Sequence, residues 1–249
     1  MPGVLRKSRL GDQEAPFPEM DAALWKRHGV NPKSSTQIAK IKERIFNDPE
    51  FYLFGGFVRT WDEHAPPSER VKVLGEEAYL KRVLQHIHQG YPEPDTCAIV
   101  KSRQLRISWL AFGYATWEAR HPHSRVIIKS QKAEHAWDAV YDDDWTQARC
   151  AFVEWANPKD IWQVGLIGKR GQLLYPNGAS IMAAPKGGHV FRSYTATLAV
   201  FDEAAFQDDF RASYKGALPM ARRILVISTV VGGSDFCKLV EMVEEQEFA

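Results

Sequence analysis

The sequence reads as an α/β fold, with a central, mostly parallel sheet flanked by helices and one β-hairpin inserted into it. Four short apolar runs, at 98–100, 126–128, 197–201 and 224–227, have the continuity of strands buried on both faces. Helical patterns follow the first two, as crossover connections between parallel strands require. The hairpin is signalled by Pro176-Asn177-Gly178, flanked by alternating residues from Gln172 to Ala184.

The chain of 249 residues, 45% hydrophobic with eight Trp, suits one large domain with a sizeable core. Cys97, Cys150 and Cys237 form no C-x-x-C pair and cannot all be bridged, which fits a reducing compartment. No apolar run approaches membrane-spanning length, and the N-terminus MPGVLRKSRLGD lacks the apolar core of a signal peptide, so a soluble, cytosolic protein is expected.

Taken in order, residues 1–35 are rich in Pro and charge and read as a poorly packed, partly irregular arm with one helical stretch from Met20 to Arg27. From Ser35, Ile38, Ile41 and Ile45 recur at helical spacing and end before Asn47-Asp48-Pro49. The aromatics between Phe51 and Trp61 read as core packing beneath the sheet rather than a ledge for a base. A helix from Glu76 to His88 follows, and the turn Gly90–Pro94 delivers the chain to the first central strand. Beyond it, an amphipathic segment runs from Trp109 to Trp117.

The second strand, Arg125–Lys129, is followed by Ser130-Gln131-Lys132 at the edge of the sheet where ligands bind. Residues 131–155 read as helical, with a solvated break at Asp142-Asp143-Asp144. The His pairs His86/His88 and His121/His123 lack partners at ligand spacing and read as surface residues. The loop Pro185–His189 carries Lys and Gly beside the sheet edge, and a helix from Phe236 to Glu245 closes the chain.

Two stretches carry chemistry. In TCAIVKSRQLRISW, 96–109, an apolar strand leads through a polar loop into a helix, the setting in which backbone N–H groups and a helix N-terminus hold a phosphate. Laid over G-x-x-x-x-G-K-[ST], Ser108 fills the hydroxyl position, Ile107 stands where Lys belongs, and Lys101 and Arg106 occupy the two Gly positions. Alone, such a stretch is usually a solvated turn. A hundred residues on, a buried strand ends in Asp202-Glu203; in nucleotide hydrolases a first carboxylate holds the Mg2+ shell and a second polarises the attacking water.

Together with RVIIKSQKAEHAWDAV, YPNGASIMAAPKGGHVFRSYTATLAVFDEAAF and RRILVISTV, these stretches resemble the N-terminal ATPase domain of tailed-bacteriophage terminase large subunits. The resemblance extends upstream to NDPEFYLFGGFVRTWDEH and covers roughly residues 47 to 236. It implies a RecA-like P-loop NTPase of the additional-strand, catalytic-glutamate class over residues 36–249, with ATP and Mg2+ as cofactors. Members often carry a deviant Walker A loop whose Lys has moved to the start, where Lys101 stands.

The resemblance implies that residues Lys101, Ser102, Arg103, Gln104, Leu105, Arg106, Ile107 and Ser108 bind nucleotide, with Lys101 and Arg103 neutralising phosphate charge. It places Ser108 and the Walker B residue Asp202 on Mg2+, Glu203 on the lytic water, and Ser228 and Thr229 at the strand end that couples hydrolysis to movement. Arg149, Arg170 and Arg192 are candidates for an arginine finger. Arg106 departs from the small residue usual at its position and either crowds the β-phosphate or swings out to a neighbour. Ser130–Lys132 corresponds to a position near the nucleotide or the DNA path.

The implied partners are double-stranded DNA, the portal protein of a procapsid, a terminase small subunit and further copies in a ring, in the host cytoplasm, with no membrane. A net charge of +1 means that DNA contact is local or shared among subunits. Terminase large subunits usually continue into an RNase H-like nuclease domain; the chain ends before one, so no nuclease activity is expected of it, whether it is an excised domain or a split gene product. Two other readings are weighed. A DExx-type helicase would share both motifs but needs a second RecA-like domain, for which there is no room. An inactive docking module would explain Ile107 and Arg106 but not Ser108, Asp202, Glu203 and the shifted Lys101.

Overall fold

The computed structural model describes residues 17–89, 95–103, 105–141, 148–158, 161, 171–184, 187, 191 and 194–247. Gln104, Arg170, Arg192, the turn 90–94, the acidic triplet 142–144 and all of the loop 185–189 except Gly187 lie outside them.

Helix α1 (Pro18–Arg27) starts with Pro in its first turn and places Glu19 and Asp21 early and Lys26 and Arg27 late, each charge matching the helix dipole. The described part of the N-terminal arm is packed, against expectation: Leu24 and Trp25 join the main core. The cause lies 38 residues away, in Arg59, which is fully buried. Its guanidinium pairs with Asp21 and donates to the carbonyl of Ala156 at 2.6 Å. A buried cation needs such partners, and supplying one draws α1 onto the domain.

In α2 (Ser35–Asn47), Ser34 caps the helix and Ile38, Ile41 and Ile45 form the buried stripe. Asp48 caps the next helix, α3 (Pro49–Phe54), accepting from the N–H of Phe51 at 2.8 Å. The aromatics Phe51, Tyr52, Phe54 and Phe57 are core residues. Strands β1 (Arg59–Trp61) and β2 (Val71–Val73) pair antiparallel as a separate two-stranded sheet that the sequence pattern does not reveal. Helix α4 (Ala78–Gln89) buries Leu80, Leu84 and Ile87.

The remaining elements are β3 (Asp95–Val100), α5 (Ile107–Glu118), β4 (Arg125–Lys129), α6 (Ala133–Val140), α7 (Arg149–Ala156), β5 (Gln172–Leu174), β6 (Ser180–Ala183), β7 (Ala196–Asp202), α8 (Phe210–Ala217), β8 (Ala221–Ser228) and α9 (Asp235–Glu247). The large sheet runs in the order β3-β8-β7-β4-β6-β5, parallel except for the β5–β6 hairpin. Gly178, with φ +80, makes the hairpin turn. Helix α5 is not amphipathic: Ile107 and every residue from Leu110 to Trp117 are buried, so it is covered on all sides. Gly113 permits this, since a Cβ there would stand 2.7 Å from Leu53 Cδ2 of α3.

Alternation along the strands fills two cores, one on each face of the sheet. Leu198, Val200, Leu225 and Ile227 face the larger cluster; Ala199, Phe201, Ile224 and Val226 face the smaller. No helix among the described residues is long and apolar enough to cross a membrane.

The larger core encloses a polar network that ties α3, α5, α7 and the hairpin together. The Tyr52 hydroxyl accepts from Arg120 Nη2 at 2.8 Å and from Asn157 Nδ2 at 3.3 Å, and lies 3.2 Å from Thr116 Oγ1. Glu154, 2% exposed, stands 3.8 Å from Arg120 and accepts from the Tyr175 hydroxyl at 3.4 Å. Burial pushes the Glu154 carboxyl up to about 7, against the opposing pull of Arg120 and Tyr175. Between its ordinary value of 4.5 and about 7, the folded chain holds a proton that the unfolded chain has released. Glu154's contribution to stability is therefore full below that window and lost as pH rises through it. Urea unfolding at about pH 5 and about pH 8 should show a fall in stability with pH that is smaller in Glu154→Gln. Equal falls in the two proteins would contradict this origin.

Candidate functional site

The site lies at the C-terminal edge of the large sheet, where the ends of β3, β8, β7 and β4 meet. Parallel pairing sets Val100 opposite Ser228 and Asp202 opposite Ile227, so these strand ends are nearly level. Lys101 carries the β3 ladder one residue further, its N–H donating to the carbonyl of Ser228 at 2.9 Å. The loop then crosses the sheet edge, with Ser102 and Arg103 exposed and Leu105 packed against the core.

Arg106 closes the loop with φ 55 and ψ 11, a left-handed conformation that costs a non-glycine residue about 1–2 kcal/mol. Its side chain turns away from the loop and reaches Glu77 of the same chain, Nη1 to Oε1 at 3.5 Å. Arg106 therefore swings out, but to an intrachain carboxylate. The Tyr79 hydroxyl donates to the carbonyl of Leu105 at 3.1 Å, which ties the loop to α4. Ile107, where an ordinary phosphate loop has its Lys, is 3% exposed and anchors α5 in the core.

Ser108, in the first turn of α5, joins the two motifs. Its hydroxyl accepts from Lys101 Nζ at 3.4 Å and donates to Asp202 Oδ1 at 3.1 Å. Asp202 ends β7 and is 6% exposed. Glu203 follows with φ 55 and ψ 42, again left-handed, which turns the chain out of the strand into a 3-10 turn, Ala204–Phe206.

Two side chains clamp that turn. Gln207 Nε2 donates to the Asp202 carbonyl at 2.9 Å, and the hydroxyl of Ser228, fully buried, accepts from the Ala205 N–H at 3.0 Å. Sequence reasoning misses the role of Gln207, because a Gln five residues past a strand carries no spacing signal. Burial would raise the carboxyl of the nearby Asp209, but the Lys129 ammonium at 3.0 Å and the Gly187 N–H at 2.9 Å hold it below its usual range.

A cavity of about 300 Å³ opens at this edge, lined by Lys101, Arg103, Gln131, Glu203, Phe206 and Thr229. Lys101, Arg103, Glu203 and Thr229, all expected at the site, thus share one space, and Lys101 links it to Ser108 and through it to Asp202. Thr229 faces the cavity, whereas Ser228 faces the protein. Arg149, the first residue of α7, stacks its guanidinium over Trp109 and Phe112 and brings Nη1 to 3.9 Å from Asp202 Oδ2. A hydroxyl and a carboxylate in contact, with a cation already drawn to that carboxylate, form an oxygen-donor set that suits Mg2+ with waters completing its shell.

Removing the fully buried Ser228 hydroxyl leaves the part-buried Ala205 N–H without its acceptor. Ser228→Ala should therefore cost about 1–3 kcal/mol of stability. Thr229→Ala, at the cavity wall, should change it by less than about 0.5 kcal/mol. Equal losses in urea unfolding would contradict the division of roles between the two hydroxyls.

The chain superposes on the large terminase of bacteriophage HK97 with a TM-score of 0.56 and 14% identity, over 82% of this chain and 42% of that one. The Thermus phage P74-26 large terminase ATPase domain aligns over 63% of this chain and 67% of its own, 18% identical, with a TM-score of 0.44. The large terminase of a thermophilic bacteriophage, in complex with ADP, aligns over 61% of this chain and 38% of its own, 12% identical, with a TM-score of 0.43. No protein-family model and no curated protein matches the sequence. The chain spans 42% of the HK97 terminase's length. What is shared at such identities is the fold: over 82% of its length this chain has the fold of the HK97 large terminase, here a mostly parallel six-stranded sheet flanked by helices.

Proposed function

We propose that this chain is an ATPase that couples hydrolysis of Mg-ATP to movement of double-stranded DNA into a viral procapsid. The observation that carries the reading is the convergence of Lys101, Arg103, Glu203 and Thr229 on one cavity, with Ser108 bonded to both Lys101 and Asp202. Its DNA, portal and small-subunit partners, and its action within a ring of copies, belong to the same proposal.

Phosphoryl transfer to water leaves little covalent work for a protein, so position and charge dominate. Lys101 and Arg103 neutralise phosphate oxygens, and backbone N–H groups between Ser102 and Ile107 cradle the anion. Ser108 and Asp202 would hold Mg2+, which would supply positive charge to the phosphates. Glu203 orients the attacking water and takes its proton as oxygen bonds to the γ-phosphorus and the bridge to the β-phosphate breaks. Its left-handed backbone, clamped by Gln207 and Ser228, aims the carboxylate out of the strand and into the cavity. Thr229 meets the terminal phosphate. Ser228 ties the Glu203 turn to the strand that carries Thr229, so a shift at one is felt at the other. Arg149, within reach of its own chain's Asp202, serves in cis.

Mg-ATP turnover measured across protein concentrations, with Glu203→Gln alongside, tests this. Loss of the general base should lower turnover on the order of 100-fold or more. Turnover that rises faster than linearly with concentration is expected if a neighbouring copy completes the site. No turnover at any concentration, together with no nucleotide binding, would overturn the assignment and leave an inactive docking module.

A further inference from the structure

Gln131 is the polar side chain on the cavity wall to which the mechanism above gives no role. β4 and β7 are parallel neighbours, with Lys129 opposite Phe201. The ladder ends at that pair; Gln131 comes two residues after Lys129 and Glu203 two residues after Phe201, each past the end of its strand. Both lie where the chain leaves the sheet, and both border the space that also holds Arg103 and Thr229.

The end of β4 is firmly held. Lys129 is 2% exposed and bonded to Asp209, Ser130 is 6% exposed, and the Ile128 carbonyl accepts from the Ala184 N–H at 2.7 Å. Gln131 therefore extends from a fixed point.

A water attacking the γ-phosphorus has two hydrogens and must present a lone pair along the line of displacement. One carboxylate fixes one hydrogen and leaves the molecule free to rotate about that bond. A second acceptor removes this freedom, and a carboxamide can serve without titrating and without adding negative charge beside the phosphates.

We propose that Gln131 is a second orienting group for the lytic water, acting as partner to Glu203. This rests on the ATPase reading above. Its Oε1 accepts the hydrogen that is not transferred, while the other passes to the Glu203 carboxylate as the new P–O bond forms and ADP departs. Gln131 itself neither gains nor loses a proton.

The test compares single-turnover hydrolysis by wild type, Gln131→Ala, Glu203→Gln and the double variant. Affinity for a fluorescent ATP analogue and thermal unfolding are measured on the same four proteins. Gln131→Ala should slow hydrolysis on the order of 100-fold, with affinity and melting unchanged. In the Glu203→Gln background the same change should add almost nothing, because groups that act on one water are not additive. Wild-type rates in Gln131→Ala would overturn the assignment. So would affinity falling in step with rate, or losses that multiply in the double variant. Wild-type hydrolysis that Glu203→Gln abolishes but Gln131→Ala spares would remove the Gln131 role alone and leave the ATPase intact.

Discussion

Ser228 is fully buried at the end of β8, the strand that separates β3 from β7, and it holds both of its neighbours. Its carbonyl accepts from the N–H of Lys101, where the loop begins, and its hydroxyl accepts from the N–H of Ala205, just past Glu203. The start of the loop at Lys101 and the turn that carries Glu203 are therefore referred to one residue. This follows from strand order: without β8 between β3 and β7, Lys101 and Glu203 would sit on adjacent strands with no wall between them. With it, Thr229 gains a place in that wall, and Glu203, two strands from the start of the loop, borders the same cavity as Lys101 and Arg103.

The loop from Lys101 to Arg106 departs from the usual phosphate-loop pattern. Two left-handed non-glycine residues, Arg106 and Glu203, bracket the site, and such backbones persist where surrounding structure over-determines them. At Arg106 the determinants are Glu77, which takes the guanidinium, and the buried start of α5 at Ile107. At Glu203 they are Gln207 and Ser228. A Lys at position 107 would have to reach from a site that is 3% exposed, whereas Lys101 at the other end of the loop lines the cavity.

Much of this is legible in the sequence because it is local. The apolar runs mark the strands around the site, Asn177-Gly178 marks the hairpin, and the Ser108 and Asp202-Glu203 positions prove to be neighbours in space. What escapes is set by distance in sequence. The N-terminal helix looks like part of a loose arm, because the buried cation that recruits Asp21 stands at Arg59. The segment after the loop looks amphipathic, because nothing local shows that it is covered on every side. Glu154 carries no signal, since its raised carboxyl depends on burial that only the folded chain creates. The strand end Ser228-Thr229 looks like one unit, whereas strand alternation sends one hydroxyl inward and the other into the cavity.

The most direct test is a crystal structure of the chain with Mg2+ and a non-hydrolysable ATP analogue. The account predicts the terminal phosphate in the cavity between Lys101, Arg103 and Thr229, with the cation on Ser108 and Asp202. The Glu203 carboxylate should then face the γ-phosphate across one water. Nucleotide bound away from this edge, or phosphates seated with Lys101 and Glu203 both pointing elsewhere, would contradict it.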